Sequence, residues 1–241
     1  MKLLRAHAAS GTTRASGFAT RTAVLLVAAL AIAAALGYWG VGAYRAAQQQ
    51  RLVAALVTDT SHRLQQALAV EREKAPAETS RTVSLLDEHA QEVDKHLIEL
   101  RGLNAGDRDL VNSAEEYLLT VRQILRNQAA SHRYHIQVVA GNRALRDHMS
   151  RANRRSASWI QEAVRAKERL ERAYFDYRLS ADAFGRLLGS YPRARSGLAQ
   201  RVGAGLLLGD AVVAEVGARV RENSKRTADE VESARRLAAV K

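Results

Sequence analysis

Twenty-three consecutive residues, Thr22 to Tyr44, carry no charge, and this run constrains the chain more than any other feature. Its inner part, Ala23 to Ala43, makes about 31 Å of helix at roughly 1.5 Å per residue, the thickness of a bilayer's hydrocarbon core. Tyr38, Trp39 and Tyr44 cluster at its C-terminal end, where amphipathic rings sit at headgroup level. Arg21 and Arg45 bracket it as anchors with long, snorkelling stems. The run reads as a transmembrane helix over 22–44. The next most apolar stretch, Val202 to Val216, contains Asp210 and Glu215 and reads as the buried stripe of a helix outside the membrane.

Two other readings compete for the same segment. Ala33, Ala34 and Ala35 offer small residues for signal-peptide cleavage, but the apolar run exceeds the roughly 7 to 15 residues of a signal-peptide core, which favours an uncleaved signal anchor. An organellar presequence would explain the acid-free residues 1–21, with Lys2, Arg5, Arg14 and Arg21 among Ser and Thr. Those four bases precede the span, whereas the twenty positions from Tyr44 hold Arg45, Arg51 and Arg63 against Asp59. The bias places the N-terminus inside. The expected organisation is a cytoplasmic basic tail (1–21), a single pass through the inner (plasma) membrane (22–44) and a periplasmic or otherwise extracytoplasmic domain (45–241). The absence of cysteine fits an oxidising compartment.

Hydrophobic residues make up 47% of the chain but aromatics only 5%, so the apolar content is mostly Ala, Leu and Val, which suits helices better than a β-sandwich. Val83, Leu86, Ala90, Val93, Leu97 and Leu100 alternate steps of three and four, a heptad seam. Asp107 offers an N-cap for a second seam, Leu110, Ala114, Tyr117, Val121 and Ile124, which turns polar through Gln128, Ser131 and His135 before Val138, Asn142, Leu145 and Met149. A further helix is expected to open at Ser158, with Gln161 completing a capping box, to carry Trp159, Ala163, Leu170, Tyr177 and Phe184 inward, and to end at Gly189 and Pro192. The last helix is expected to start at Pro192 with Leu198, Val202, Gly205, Gly209, Val212, Val216 and Val220 on one side. Leu52, Leu56, Leu64 and Leu68 carry the membrane helix on as a stalk towards Pro76. The fold class is therefore all-α: one N-terminal transmembrane helix continuing into an elongated antiparallel, coiled-coil-like bundle.

Charge is unevenly placed. Residues 71–116 hold twelve acids and six bases, while residues 117–161 hold eight arginines against Asp147 alone. Two adjacent hairpin arms of opposite sign are expected to attract along their rims. Arg143, Arg146, Arg151, Arg154 and Arg155, at the far end of the basic arm, are candidates for binding an anionic partner. Nucleic acid is the reflex reading for a chain of net charge +12, but the membrane anchor and the lack of an aromatic-interleaved basic motif or helix-turn-helix argue against it.

His89, Glu92 and His96 on one helix, with His132 and His135 on the next, are the only candidate metal or acid-base set. A carboxylate-bridged di-metal bundle needs a Glu-x-x-His pair on each of two helices, and that pattern is missing. Convergence of His89, His96 and His132 would be required for zinc or copper. Gly203, Gly205 and Gly209 follow no strand and so do not read as a phosphate loop; Gly205 and Gly209, four apart, read as a close approach of helices. Ala29, Ala33 and Gly37 form a small-residue ridge suited to pairing of membrane helices in a homo-oligomer. With no nucleophile elbow, zinc-protease helix or phosphate loop, the chain is read as non-enzymatic and without cofactor.

The expected function is a scaffold or docking subunit whose partners are the lipid bilayer and other membrane or envelope proteins. A membrane-anchored helical bundle also resembles, in architecture, the ligand-binding halves of chemoreceptors and sensor kinases. That resemblance implies a ligand-sensing module which, with one span, signals through a membrane partner. If the topology were reversed, a cytoplasmic-facing basic bundle binding nucleic acid or anionic lipid would follow.

Overall fold

A computed structural model describes residues 15–72, 79–103, 107–150 and 156–239, with side chains at Leu30, Ile32 and from Tyr38 onwards except Arg72 and Thr79. Its elements are all helical: α1 (Ala15–Arg72), α2 (Thr79–Arg101), α3 (Arg108–Ser150), α4 (Ala157–Val202), a 3-10 turn (Ala204–Leu206) and α5 (Asp210–Ala239). The chain divides into two compact units, Met1–Gln48 and Gln49–Lys241.

In the first unit, residues 15–48 are helical, and the Tyr38, Trp39 and Tyr44 rings are exposed. Among the described residues no helix is long and apolar enough to cross a membrane. The run expected to do so, 22–44, lies on the α1 backbone, but most of its side chains, including those of Ala29, Ala33 and Gly37, lie outside the described residues.

The second unit is an up-and-down bundle whose direction can be read from its cross-links. α2 runs antiparallel to α3, since Asp87 meets Arg133, Asp94 meets Arg122 and Arg126, and Arg101 meets Glu115. α1 runs parallel to α3, with Ser61 beside Tyr117 and Glu71 beside His132. α3 and α4 pack antiparallel along their length, from Asp107 and Asp109 against Arg201 at one end to His148 against Trp159 at the other. α5 returns beside α4, tied by Arg195 to Asp210 and by Glu171 to Arg235. At about 1.5 Å per residue, the 43 residues of α3 make a bundle roughly 65 Å long.

Two separate hydrophobic cores lie along that length. The proximal core joins five segments, with Leu64 and Leu68 of α1, Leu86 and Leu100 of α2, Leu118, Ile124 and Leu125 of α3, Phe184 of α4 and Val216 of α5. The distal core uses only three helices, through Leu145 of α3, Leu170 and Tyr177 of α4 and Val231 of α5. The expected seams of α2 and of the first half of α3 are buried throughout. Asp107 caps α3, accepting from the Leu110 amide at 3.0 Å.

Four expectations need correction. α1 does not bury Leu52; its inward seam is Val53, Val57, Thr60, Leu64 and Leu68, one residue out of step at its start. α4 is capped by Ser156, whose Oγ accepts from the Trp159 amide, two residues before the expected Ser158. α4 also does not end at Pro192 but runs through it to Val202. The proline is on the exposed side, while Tyr191 and Leu188 are buried and hold the helix to the core. The true stop is Gly203, at φ +97°, a conformation that suits glycine.

The fourth correction concerns close approach. A side chain at Gly205 or Gly209 would meet nothing within 4 Å, so neither permits helix contact. Gly141 does: a Cβ there would lie 3.3 Å from Leu170 Cα and 3.5 Å from Leu170 Cβ. The α3 and α4 backbones therefore meet where the bundle is thinnest, and glycine is what makes room. Gly141→Leu is expected to destabilise by about 1–3 kcal/mol through overpacking, whereas Gly189→Ala, in open space on α4, should stabilise by roughly 0.5–1 kcal/mol. Chemical denaturation of the two variants checks both signs.

Candidate functional site

Between the cores lies a polar layer, built where the α3 seam reaches Gln128, Ser131 and His135. α1 ends beside it. The buried Gln128 amide donates to the Ala67 carbonyl at 2.9 Å and to Glu71 Oε1 at 3.2 Å, while its own oxygen has no partner among the described residues. His132 Nε2 lies 2.7 Å from the same Glu71 oxygen, and both side chains are about nine-tenths buried. The last turn of α1 is thus fixed to α3 by one shared carboxylate.

On the other side of the layer, His135 packs against Tyr177 of α4, the two rings tilted by 45° with centroids 5.4 Å apart. Thr227 of α5 is buried and turns its hydroxyl back to the Asn223 carbonyl, and Arg226 donates to Asn223 Oδ1. Glu71, His132, His135, Tyr177, Asn223 and Arg226 line a cavity of about 210 Å³, together with Ser131, Phe184 and Arg219. It is large enough for several waters or one small polar molecule. Its wall mixes guanidinium, imidazole, phenol and carboxylate groups, which can orient a small charged ligand through hydrogen bonds.

The α5 half of this wall was not anticipated, although a signal exists. The α5 seam Val213, Val216, Val220 pauses at Asn223 and Thr227 and resumes at Val231 and Ala234, matching the polar interval of α3. Two polar interruptions at the same height on neighbouring helices mark a layer.

The histidines are distributed among separate environments. His96 lies 3.1 Å from Thr60 Oγ1 and 3.3 Å from Asp59, His132 belongs to Glu71, and His89 is buried with neither ring nitrogen partnered among the described residues. Among the described residues no group of three His, Cys, Asp or Glu side chains is placed to hold a metal ion. Burial pushes the His89 imidazole below its ordinary pKa, helped by repulsion from Arg63. Burial does the same to His135, with further repulsion from His132 and Arg226.

The arginines divide between paired and outlying positions. Arg122, Arg126 and Arg133 meet acids of α2, so the expected attraction between the two arms is realised along the proximal half of α3. Arg143 and Arg146 lie roughly three turns farther on. Arg143 is exposed, with Asp147 at 3.8 Å, and Arg146 donates to Asn142 within α3. Arg151, Arg154 and Arg155 fall outside the described residues.

Two predictions follow from the polar layer. Glu71→Ala should cost about 3 kcal/mol, because it strips both Gln128 and His132 of a buried acceptor; a denaturation midpoint measures it. For His89 and His135 the folded pKa lies below the unfolded value of about 6.5, so the unfolded chain binds more protons as pH falls and stability drops progressively below that point. A His89→Leu, His135→Phe double variant should lose less stability than the parent chain between neutral and mildly acidic pH, read from denaturation curves at each pH. No known protein family, curated protein or solved structure matches the chain.

Proposed function

We propose that the chain is a membrane-anchored, non-enzymatic docking subunit, held by residues 22–44 and presenting its bundle on the extracytoplasmic side to acidic surfaces of envelope proteins. The observation that carries this reading is the distal part of α3, where Arg143 and Arg146 lie beyond Arg133, the last α3 arginine bound by α2 among the described residues. Exposed positive charge beyond the acids of α2 is available to steer and hold an anionic partner. The anchor reading rests on the charge-free run and on the exposed Tyr38, Trp39 and Tyr44 rings at its end.

The test combines topology and contacts. A cysteine placed on the bundle surface should react with a membrane-impermeant thiol reagent on intact cells. Labelling only after lysis would replace this reading with the cytoplasmic-facing basic bundle. Crosslinking in intact membranes should capture defined neighbours, and Arg143→Glu with Arg146→Glu should reduce that capture at least severalfold while leaving the melting temperature unchanged. Equal capture by wild type and variant would remove the arginines from the proposal.

A second reading, ligand sensing, draws support from the cavity between the cores. Its wall includes the end of α1, the helix that leads back to residues 22–44, so occupancy there would bear on the segment proposed to meet the membrane. Small carboxylates or amino acids that fill the cavity should raise the melting temperature by mass action, and His135→Phe should abolish the rise.

A further inference from the structure

The outward face of α4 carries four large apolar side chains with little cover: Ile160, Val164, Phe175 and Leu179, exposed by 52, 49, 60 and 55%. They are not scattered. At 100° per residue all four fall within one third of the helix circumference, on the side opposite the buried seam of Leu170, Tyr177 and Phe184. Val164 to Phe175 is a step of eleven residues, a spacing at which a nearly straight helix returns to the same face.

Their spacing is also symmetric. The pair Ile160 and Leu179 and the pair Val164 and Phe175 have the same midpoint, between residues 169 and 170. A two-fold axis through that midpoint lays a second α4 antiparallel to the first, with Ile160 opposite Leu179 of the second copy and Val164 opposite Phe175 of the second copy. An isologous contact requires this kind of self-complementarity.

Charged residues lie near the midpoint. Glu171 is engaged within its own chain by Arg235 and Lys167. Glu168 and Arg172 lie on the same flank of the apolar stripe, and in an antiparallel pair each flank meets the same flank of the other helix. Glu168 of each copy therefore comes beside Arg172 of the other, giving two symmetric ion pairs around the axis.

We infer that the outer face of α4 is a homodimer interface, in which two copies pack antiparallel about a two-fold axis between residues 169 and 170. The contact is independent of the small-residue ridge in 22–44 and does not depend on the docking function proposed above. Apolar side chains at both ends and crossed ion pairs in the middle set its register.

The chain has no cysteine, so engineered ones report without background. In the full chain in detergent micelles, Ile160→Cys combined with Leu179→Cys should oxidise to a covalent dimer. Either single variant should not, because like positions in this arrangement are about 28 Å apart along the axis. Independently, Glu168→Arg and Arg172→Glu should each weaken the dimer in sedimentation equilibrium, and the two together should restore it. All four positions are exposed, so each variant is expected to keep the wild-type melting temperature. A double-cysteine chain that stays monomeric, or a single-cysteine chain that crosslinks as well as the double, would overturn the inference. A charge-swapped double variant no better than its parents would remove the ion pairs from it.

Discussion

The antiparallel contact between α3 and α4 is the constraint on which the rest of the second unit depends. It contributes to both hydrophobic cores, through Leu118, Leu125 and Phe184 in one and Leu145, Leu170 and Tyr177 in the other. Every other helix packs against one of these two. Its register is pinned at both ends, by Arg201 with Asp107 and Asp109 and by His148 stacked on Trp159 at 4.8 Å, and its closest approach is set by glycine at position 141. Close backbone approach increases the dispersion contact per residue, which compensates for the small number of helices in the distal half.

A second tie fixes the proximal end. Tyr191 donates its hydroxyl proton to the Leu208 carbonyl at 3.0 Å, so it can only accept from Tyr117, 3.3 Å away, and Tyr117 in turn accepts from Ser61 at 2.7 Å. This chain of hydroxyls has one self-consistent direction and crosses from α1 through α3 and α4 to the turn before α5. Burial raises the pKa of both tyrosines, which keeps them protonated and able to donate. Removing any member would orphan a buried neighbour, so the network specifies the relative placement of four segments more than it adds net stability.

The polar layer has the opposite effect. Placing Glu71, Gln128, His132 and His135 between two apolar cores interrupts the continuous hydrophobic seam of a long bundle and leaves a cavity. The layer is also where five helical segments give way to three. A bundle interrupted in this way can respond to pH or to a small ligand at its middle while both ends remain packed. The charge arrangement follows the same division. Acids of α2 neutralise arginines along the proximal half of α3, each exposed pair being worth little alone but together opposing any other orientation of the hairpin. The distal arginines have no such counterpart among the described acids of α2.

The sequence by itself determined the all-helical class, the seams of α2 and α3, the Asp107 cap and the attraction between acidic and basic arms, because each is a local or nearest-neighbour property readable from spacing and charge. It also indicated the polar interval on α3 through Gln128, Ser131 and His135. Tertiary structure alone decided the rest. Proline at 192 looked like a helix end, but burial of Leu188 and Tyr191 just before it outweighs the hydrogen bond it removes. Gly205 and Gly209 looked like a packing surface, whereas the backbone needed Gly203 as a stop and Gly141 as a contact. The cavity wall, the hydroxyl chain and the uncovered face of α4 join residues far apart in the chain, and no local period reports which helix lies beside which.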